Sequence, residues 1–193
     1  MHPILATFTI GGTEVVLRAY STFYVLAWIA AVAVTTVIAR HRGFSWWRAL
    51  ATFVVALLVG FAGARLLDVA VNWGYYAENV SRIYDTGFRG FALYGGLIVA
   101  LTAGALLARA FHLPLWDLAD GTVPAFATGI VLMRTGCFLN GCCFGTVTSL
   151  PWGVTYPPGS PAWAHHLLTG EISLLQMDVR SRPVHPTQLY EMI

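Results

Sequence analysis

Lysine is absent from this sequence: all 11 basic residues are arginine, set against 9 carboxylates in a chain of 193 residues. Charge of either sign is scarce, at 10% of the chain, where soluble domains carry about 25%. A soluble globule of 21.0 kDa needs more charged surface than these few side chains supply. The apolar excess argues against a disordered or collagen-like chain. A net charge of +2 without any basic block gives no footprint for nucleic acid. Cysteine is sparse as well. The three present, Cys137, Cys142 and Cys143, are odd in number and make no disulfide framework. No Cys-x-x-Cys pairs with a second one, and adjacent cysteines chelate poorly without further ligands, so neither a metal nor another cofactor is expected. What the chain has instead is hydrocarbon: 57% apolar residues and a mean hydropathy of +0.67. It belongs in a bilayer.

A hydrocarbon core about 30 Å thick takes about 20 apolar residues as helix. Ala19 to Ala39 is an uncharged run of that length, closed by Arg40, His41 and Arg42. It is too long for a cleavable signal peptide, and no basic segment precedes it. A second span fits Trp46 to Trp73, with Arg65 inside it; a third fits Gly90 to Ala108; a fourth runs from about Gly121 to Gly145 around Arg134. Residues 146–184, rich in proline and carrying His165 and His166, read as an aqueous loop with one amphipathic turn. His185 to Ile193 resembles the start of another helix, since Pro186 suits a first turn. Arg40, Arg42 and Arg48 stand without an acid after span one and mark the cytoplasmic side, whereas Arg82 and Arg89 are balanced by Asp68, Glu78 and Asp85. The expected fold is an all-α, polytopic transmembrane helical bundle with broken helices. Its N-terminus lies outside, with four complete spans plus the start of a fifth. Residues 1–193 form one membrane domain, in which 146–184 is an extracytoplasmic loop.

Arg65 and Arg134 sit where charge is costly, by about 2.5–3.5 kcal/mol at a helix centre. Arg65 either snorkels to the headgroups or faces a cavity. Arg134 has Asn140 and the glycines Gly136, Gly141 and Gly145 around it, so a break in the helix is expected there. An arginine beside unwound backbone N–H groups makes an anion site, because guanidinium matches phosphate oxygens in a fork. Gly87 to Leu97, four glycines around Tyr94, is either a tight turn or a face for close helix packing. At least two of the three cysteines read as small buried hydrophobes. Asp117 and Asp120 suit the N-terminus of the fourth helix, and Tyr20, Tyr24 and Trp28 line span one at helical spacing.

Four stretches in order resemble the bacterial prolipoprotein diacylglyceryl transferases. They are Gly63-Ala-Arg65, Gly90-x4-Gly95-Gly-Leu97, Arg134-x-Gly-x3-Asn140-Gly-x3-Gly145, and His185-Pro-Thr-Gln-Leu-Tyr-Glu191. The last is close to the family's His-Pro-Ser-Gln-Leu-Tyr-Glu. The resemblance implies a multi-pass enzyme of the bacterial inner membrane whose site opens toward the outer face. Such an enzyme moves diacylglyceryl from phosphatidylglycerol to the lipobox cysteine thiol of prolipoprotein signal peptides. It further implies Arg134, His185 and Tyr94 as catalytic positions. Arg65, Asn140, Gly141, Gly95, Gly96, Tyr20, Gln188, Tyr190 and Glu191 are implied as substrate-binding positions. Arg134 would hold the lipid phosphate, and His185 would serve as base for a thiol of pKa about 8.5.

The sequence also departs from that pattern. Tyr94 stands where the family has a histidine, and a phenol of pKa about 10 is a poor base. Cys137 stands where asparagine is common, and Cys142-Cys143 differ too. The family's further spans and a late arginine do not follow Ile193. A divergent, C-terminally truncated member is therefore expected, with a catalytically impaired lipid- or peptide-binding protein as the alternative.

Overall fold

The computed structural model describes residues 4–10, 13–84, 92–173 and 179–193. Asp85, Gly87, Arg89 and Gly90, from the balanced loop and the expected start of span three, lie outside them, as does Asp178. The chain is mostly helical and divides into two compact units, Met1–Ala31 with Phe126–Ile193, and Val32–Ala125.

Among the described residues there are seven α-helices, α1 (Ala19–His41), α2 (Trp46–Val71), α3 (Trp73–Ala77), α4 (Leu93–Ala110), α5 (Leu115–Asn140), α6 (Pro161–Leu168) and α7 (Thr187–Tyr190), and one 3-10 turn at Val80–Tyr84. Of these, α1, α2 and α5 are long and apolar enough to cross a membrane, and α4 is a shorter apolar helix. Helix α1 follows its uncharged run, and Arg40 and His41 close it in its last turn, where cations complement the helix dipole. The fourth span is corrected at both ends: α5 starts at Leu115 and stops at Asn140, so it takes in Asp117 and Asp120 and ends before Gly145. The all-α expectation needs one correction. Residues Ile4–Ile10 (β1) and Thr13–Arg18 (β2) pair as an antiparallel hairpin before α1.

In the unit Val32–Ala125, α2 and α4 pack antiparallel at very short range because glycine faces glycine. A Cβ on Gly95 would lie 2.6 Å from the Gly63 carbonyl oxygen, and one on Gly60 would lie 2.8 Å from Ala100 Cβ. Without a hydrophobic drive between helices in lipid, such close backbone approach supplies the packing. The end of this unit that carries the arginines has a small core of Ala39, Ala49, Ala108 and Leu118. Arg42 Nη1 donates to the Asp117 carbonyl at 2.6 Å there. The turns after α1 and after α4 therefore close the same end.

Both turns use a left-handed stop. Gly43 (φ 74°) ends α1, and Phe44 N donates back to Ala39 O at 2.9 Å. His112 (φ 55°) ends α4, and Leu113 N donates to Ala108 O at 2.8 Å. Six-to-one bonds of this kind satisfy carbonyls left open at a helix C-terminus.

In the other unit, α5 overturns the expected break at Arg134. The helix runs unbroken through Arg134 and Gly136 to Asn140. Unpaired backbone is costly at membrane depth, and Gly136 serves packing instead: a Cβ there would lie 2.7 Å from Phe23 Cβ. The break comes at Gly141 (φ 76°), where Gly141 N and Cys142 N both donate to Cys137 O, at 2.9 and 3.2 Å. Beyond it, Val184 bridges to Val147 and Val154, and Tyr156, Ala162 and Val184 form a core. The amphipathic turn expected in 146–184 is α6, capped by Ser160, whose hydroxyl accepts from Trp163 N at 3.3 Å, with Pro161 in its first turn.

Candidate active site

The end of α5 and the segment His185–Glu191 fold onto each other. Gly145 N donates to His185 O at 2.9 Å, and His185 N donates to Thr146 O at 3.0 Å. Gly145 has no room for a side chain, since a Cβ would meet His185 Cβ and Thr187 Cγ2 at 2.9 Å each. Two side chains of α7 then pin the turn after α5. Thr187 Oγ1 donates to Cys143 O at 2.7 Å, and Gln188 Nε2 donates to Cys142 O at 2.6 Å. Gln188 is fully buried and also donates to the Tyr156 hydroxyl at 3.2 Å. Tyr156 in turn fills the space beside Gly141, where a Cβ would lie 2.7 Å from its ring.

Arg134 projects from α5 to an ion pair with Glu191, which is half exposed. Its Nε is buried and has no hydrogen-bond partner, and Gln188 Oε1 shares that condition. Such orphaned atoms are uncommon in folded proteins and mark places where a ligand or water belongs. His185 Nδ1 lies 3.2 Å from the Tyr190 hydroxyl, whose oxygen also accepts from Trp152 Nε1 at 2.9 Å. Just past the membrane helix, hydrogen bonds from the Cys137 and Cys142 thiols, together with the nearby Arg134 charge, hold the Cys143 thiol far below its ordinary value. Burial pushes the Tyr156 phenol up and holds His166 down, and His166 Nδ1 accepts from Arg182 N at 3.2 Å.

Of the residues singled out in the sequence, Arg134, Asn140, Gly141, His185, Gln188, Tyr190 and Glu191 thus gather around the turn after α5. Tyr20 belongs to the same unit: its carbonyl oxygen lies 3.5 Å from where a Gly136 Cβ would be. Arg65, Tyr94, Gly95 and Gly96 belong to the unit Val32–Ala125. There Gly95 and Gly96 serve the α2–α4 contact, the packing alternative of the two open for them, and Tyr94 is exposed. Arg65 donates through Nε and Nη2 to Ile83 O at 3.3 and 3.2 Å and through Nη1 to the Tyr76 hydroxyl at 3.1 Å. That hydroxyl donates to Asp68 at 2.6 Å, and this bond raises its pKa above the ordinary phenol value. Sequence reasoning misses Tyr156 and Tyr76, which no motif marks. Thr187 sat inside a quoted motif, and its hydroxyl at a helix start was the available signal.

A family model described as prolipoprotein diacylglyceryl transferase matches residues 6–193. The chain belongs to that family. A phosphatidylglycerol–prolipoprotein diacylglyceryl transferase of Chloroflexus aggregans is 30% identical over 99% of the chain and 60% of its own length. The protein of the same name from Synechococcus elongatus is 31% identical over 91% of the chain and 56% of its own length. In Geobacter sulfurreducens the figures are 30%, 91% and 61%. The chain therefore spans about 60% of the length of these family members. Its ordered glycine, arginine and histidine motifs fall within the stretch that the family model covers.

Proposed function

We propose that the protein transfers diacylglyceryl from phosphatidylglycerol to the lipobox cysteine thiol of prolipoproteins, with glycerol phosphate as the second product. Arg134 carries this reading: a guanidinium in an apolar helix, with a buried Nε that lacks a partner and a half-exposed carboxylate as counter-ion. A lipid phosphodiester supplies what that Nε lacks. As the acceptor sulfur attacks the glyceryl carbon, the carbon–oxygen bond to phosphate breaks and its electron pair leaves on the phosphate. Arg134 stabilises the charge that develops there, and Asn140, at the end of α5, is proposed to add a donor. His185 takes the thiol proton through Nε2, in the tautomer whose Nδ1–H donates to the Tyr190 oxygen 3.2 Å away. In this proposal the chain crosses the bacterial inner membrane four times and begins a fifth span. Its N-terminus and residues 146–184 lie outside, and the prolipoprotein signal peptide and bilayer lipid are its partners. The shared end of the turns after α1 and α4 supports the alternating arrangement.

Tyr94, in place of the family's histidine, favours a second reading as a lipid- or peptide-binding protein without turnover. One experiment separates the two. The protein is expressed in cells depleted of their own transferase, and growth is scored beside binding of phosphatidylglycerol by the purified chain. Growth restored by the wild type and lost in Arg134→Ala supports transfer. Binding without restored growth supports the second reading.

A further inference from the structure

We propose that Cys137, Cys142 and Cys143 form a three-sulfur site for a soft, thiophilic metal cation. All three cysteines are free, and their Sγ atoms lie within 4.8 Å of one another. A d10 cation with metal–sulfur bonds of about 2.3 Å draws three sulfurs to roughly 3.8 Å apart. Side-chain rotation supplies the remaining ångström or so.

The backbone delivers this arrangement. Cys137 occupies the last turn of α5, and the left-handed stop at Gly141 wraps Cys142 back over it, so both Gly141 N and Cys142 N reach Cys137 O. Cys143 then takes φ 58°, a conformation that non-glycine residues hold only where the surroundings impose it. What imposes it here is α7, whose Thr187 and Gln188 hold the carbonyls of Cys143 and Cys142. The sulfurs are thus pre-set, and a pre-set site loses less on binding.

Ligand type selects the ion. Thiolate-only donors favour Cu(I) and Zn(II) over harder cations such as Mg(II) and Ca(II). His185 does not join the converging atoms among the described residues; its Nδ1 faces Tyr190. The fourth position is therefore open to water, and the exposed Cys143 provides the entry path. A disulfide would use two of the sulfurs and strand the third. A metal uses all three.

Cadmium is the direct probe, because its thiolate bonds absorb in the ultraviolet. The full chain, reduced and held in lipid nanodiscs without oxygen, is titrated with Cd(II) and then with Zn(II) as competitor. We expect one equivalent bound, displaced by Zn(II), with all three thiols protected from an alkylating reagent. Cys143→Ser, at the exposed position, should weaken binding by at least about 100-fold while circular dichroism stays unchanged. A wild type that binds no stoichiometric cadmium overturns the proposal, as does a Cys143→Ser protein that binds within tenfold of it. Should Cys143→Ser not fold, wild-type protection decides: three protected thiols support the site, and two or fewer overturn it.

Discussion

Arg65 in α2 and Arg134 in α5 look alike in sequence, each a lone cation in an apolar run, and their surroundings set them apart. Arg65 has both sides of its guanidinium occupied by neighbours, through Ile83, Tyr76 and, at 3.8 Å, Asp68. Its charge holds the connection after α2 in place. Arg134 meets one carboxylate and keeps a buried Nε without a partner. An intramembrane charge is expensive in both places. In the first the chain's own groups offset the cost; in the second the offset is incomplete, and on that shortfall the proposed chemistry rests.

The largest expected effect breaks or upholds this contrast directly. Arg134→Ala should cut the rate of labelled diacylglyceryl transfer to a lipobox peptide by about 10²–10³-fold. Arg65→Ala should chiefly reduce hydrogen-exchange protection around residues 68–84, with a smaller loss of rate. Equal losses of rate in the two variants would dissolve the contrast. Next comes the packing on which the Arg65 unit depends. Gly95→Ala forces a Cβ to 2.5 Å from Leu67 Cβ and should destabilise by about 1–3 kcal/mol. Gly104→Ala, with Ala56 Cβ at an ordinary 3.7 Å, should leave the melting temperature nearly unchanged. If both variants melt like the wild type, the glycine contact is not what holds α2 to α4.

On the Arg134 side, Gln188→Ala removes donors to Cys142 O and Tyr156. It should cost about 0.5–1.5 kcal/mol for each lost bond, read from denaturant unfolding; an unchanged midpoint would show that α7 does not hold the turn. The smallest effect is on pH. Burial lowers the His166 pKa in the folded state, so the unfolded chain takes up a proton first as pH falls through about 6.5. Protection of the α6 amides should then decrease from pH about 7.5 to about 5.5. His166→Gln should flatten that slope.

The helices were legible because lipid demands long apolar runs, and such runs are visible without any structure. The hairpin escaped, although Gly11-Gly12 between two β-branched stretches is a recognised turn signal; the hydropathy of the whole chain overshadowed it. Glycine density placed a helix break at Arg134, seven residues before it occurs at Gly141, because glycine's local cost was weighed and the penalty for unpaired backbone in lipid was not. The motif from His185 to Glu191 was legible as a unit, and its fold-back onto α5 was not. That contact depends on Gly145 and Val184, residues whose partners lie about 30 to 40 positions away along the chain and leave no periodic trace.

The left-handed stops after α1, α4 and α5 share one clasp, in which the residue after the turn closes over a residue of the helix's last turn. At the ends of α1 and α4 the clasp is hydrocarbon, Phe44 with Ala39 and Leu113 with Ala108. At the end of α5 it is sulfur, Cys142 with Cys137. Hydrocarbon clasps answer only to temperature and solvent. A clasp of thiols also answers to oxidants, alkylating agents and metals, so one terminus among three is open to chemical control, and it is the one that carries Arg134.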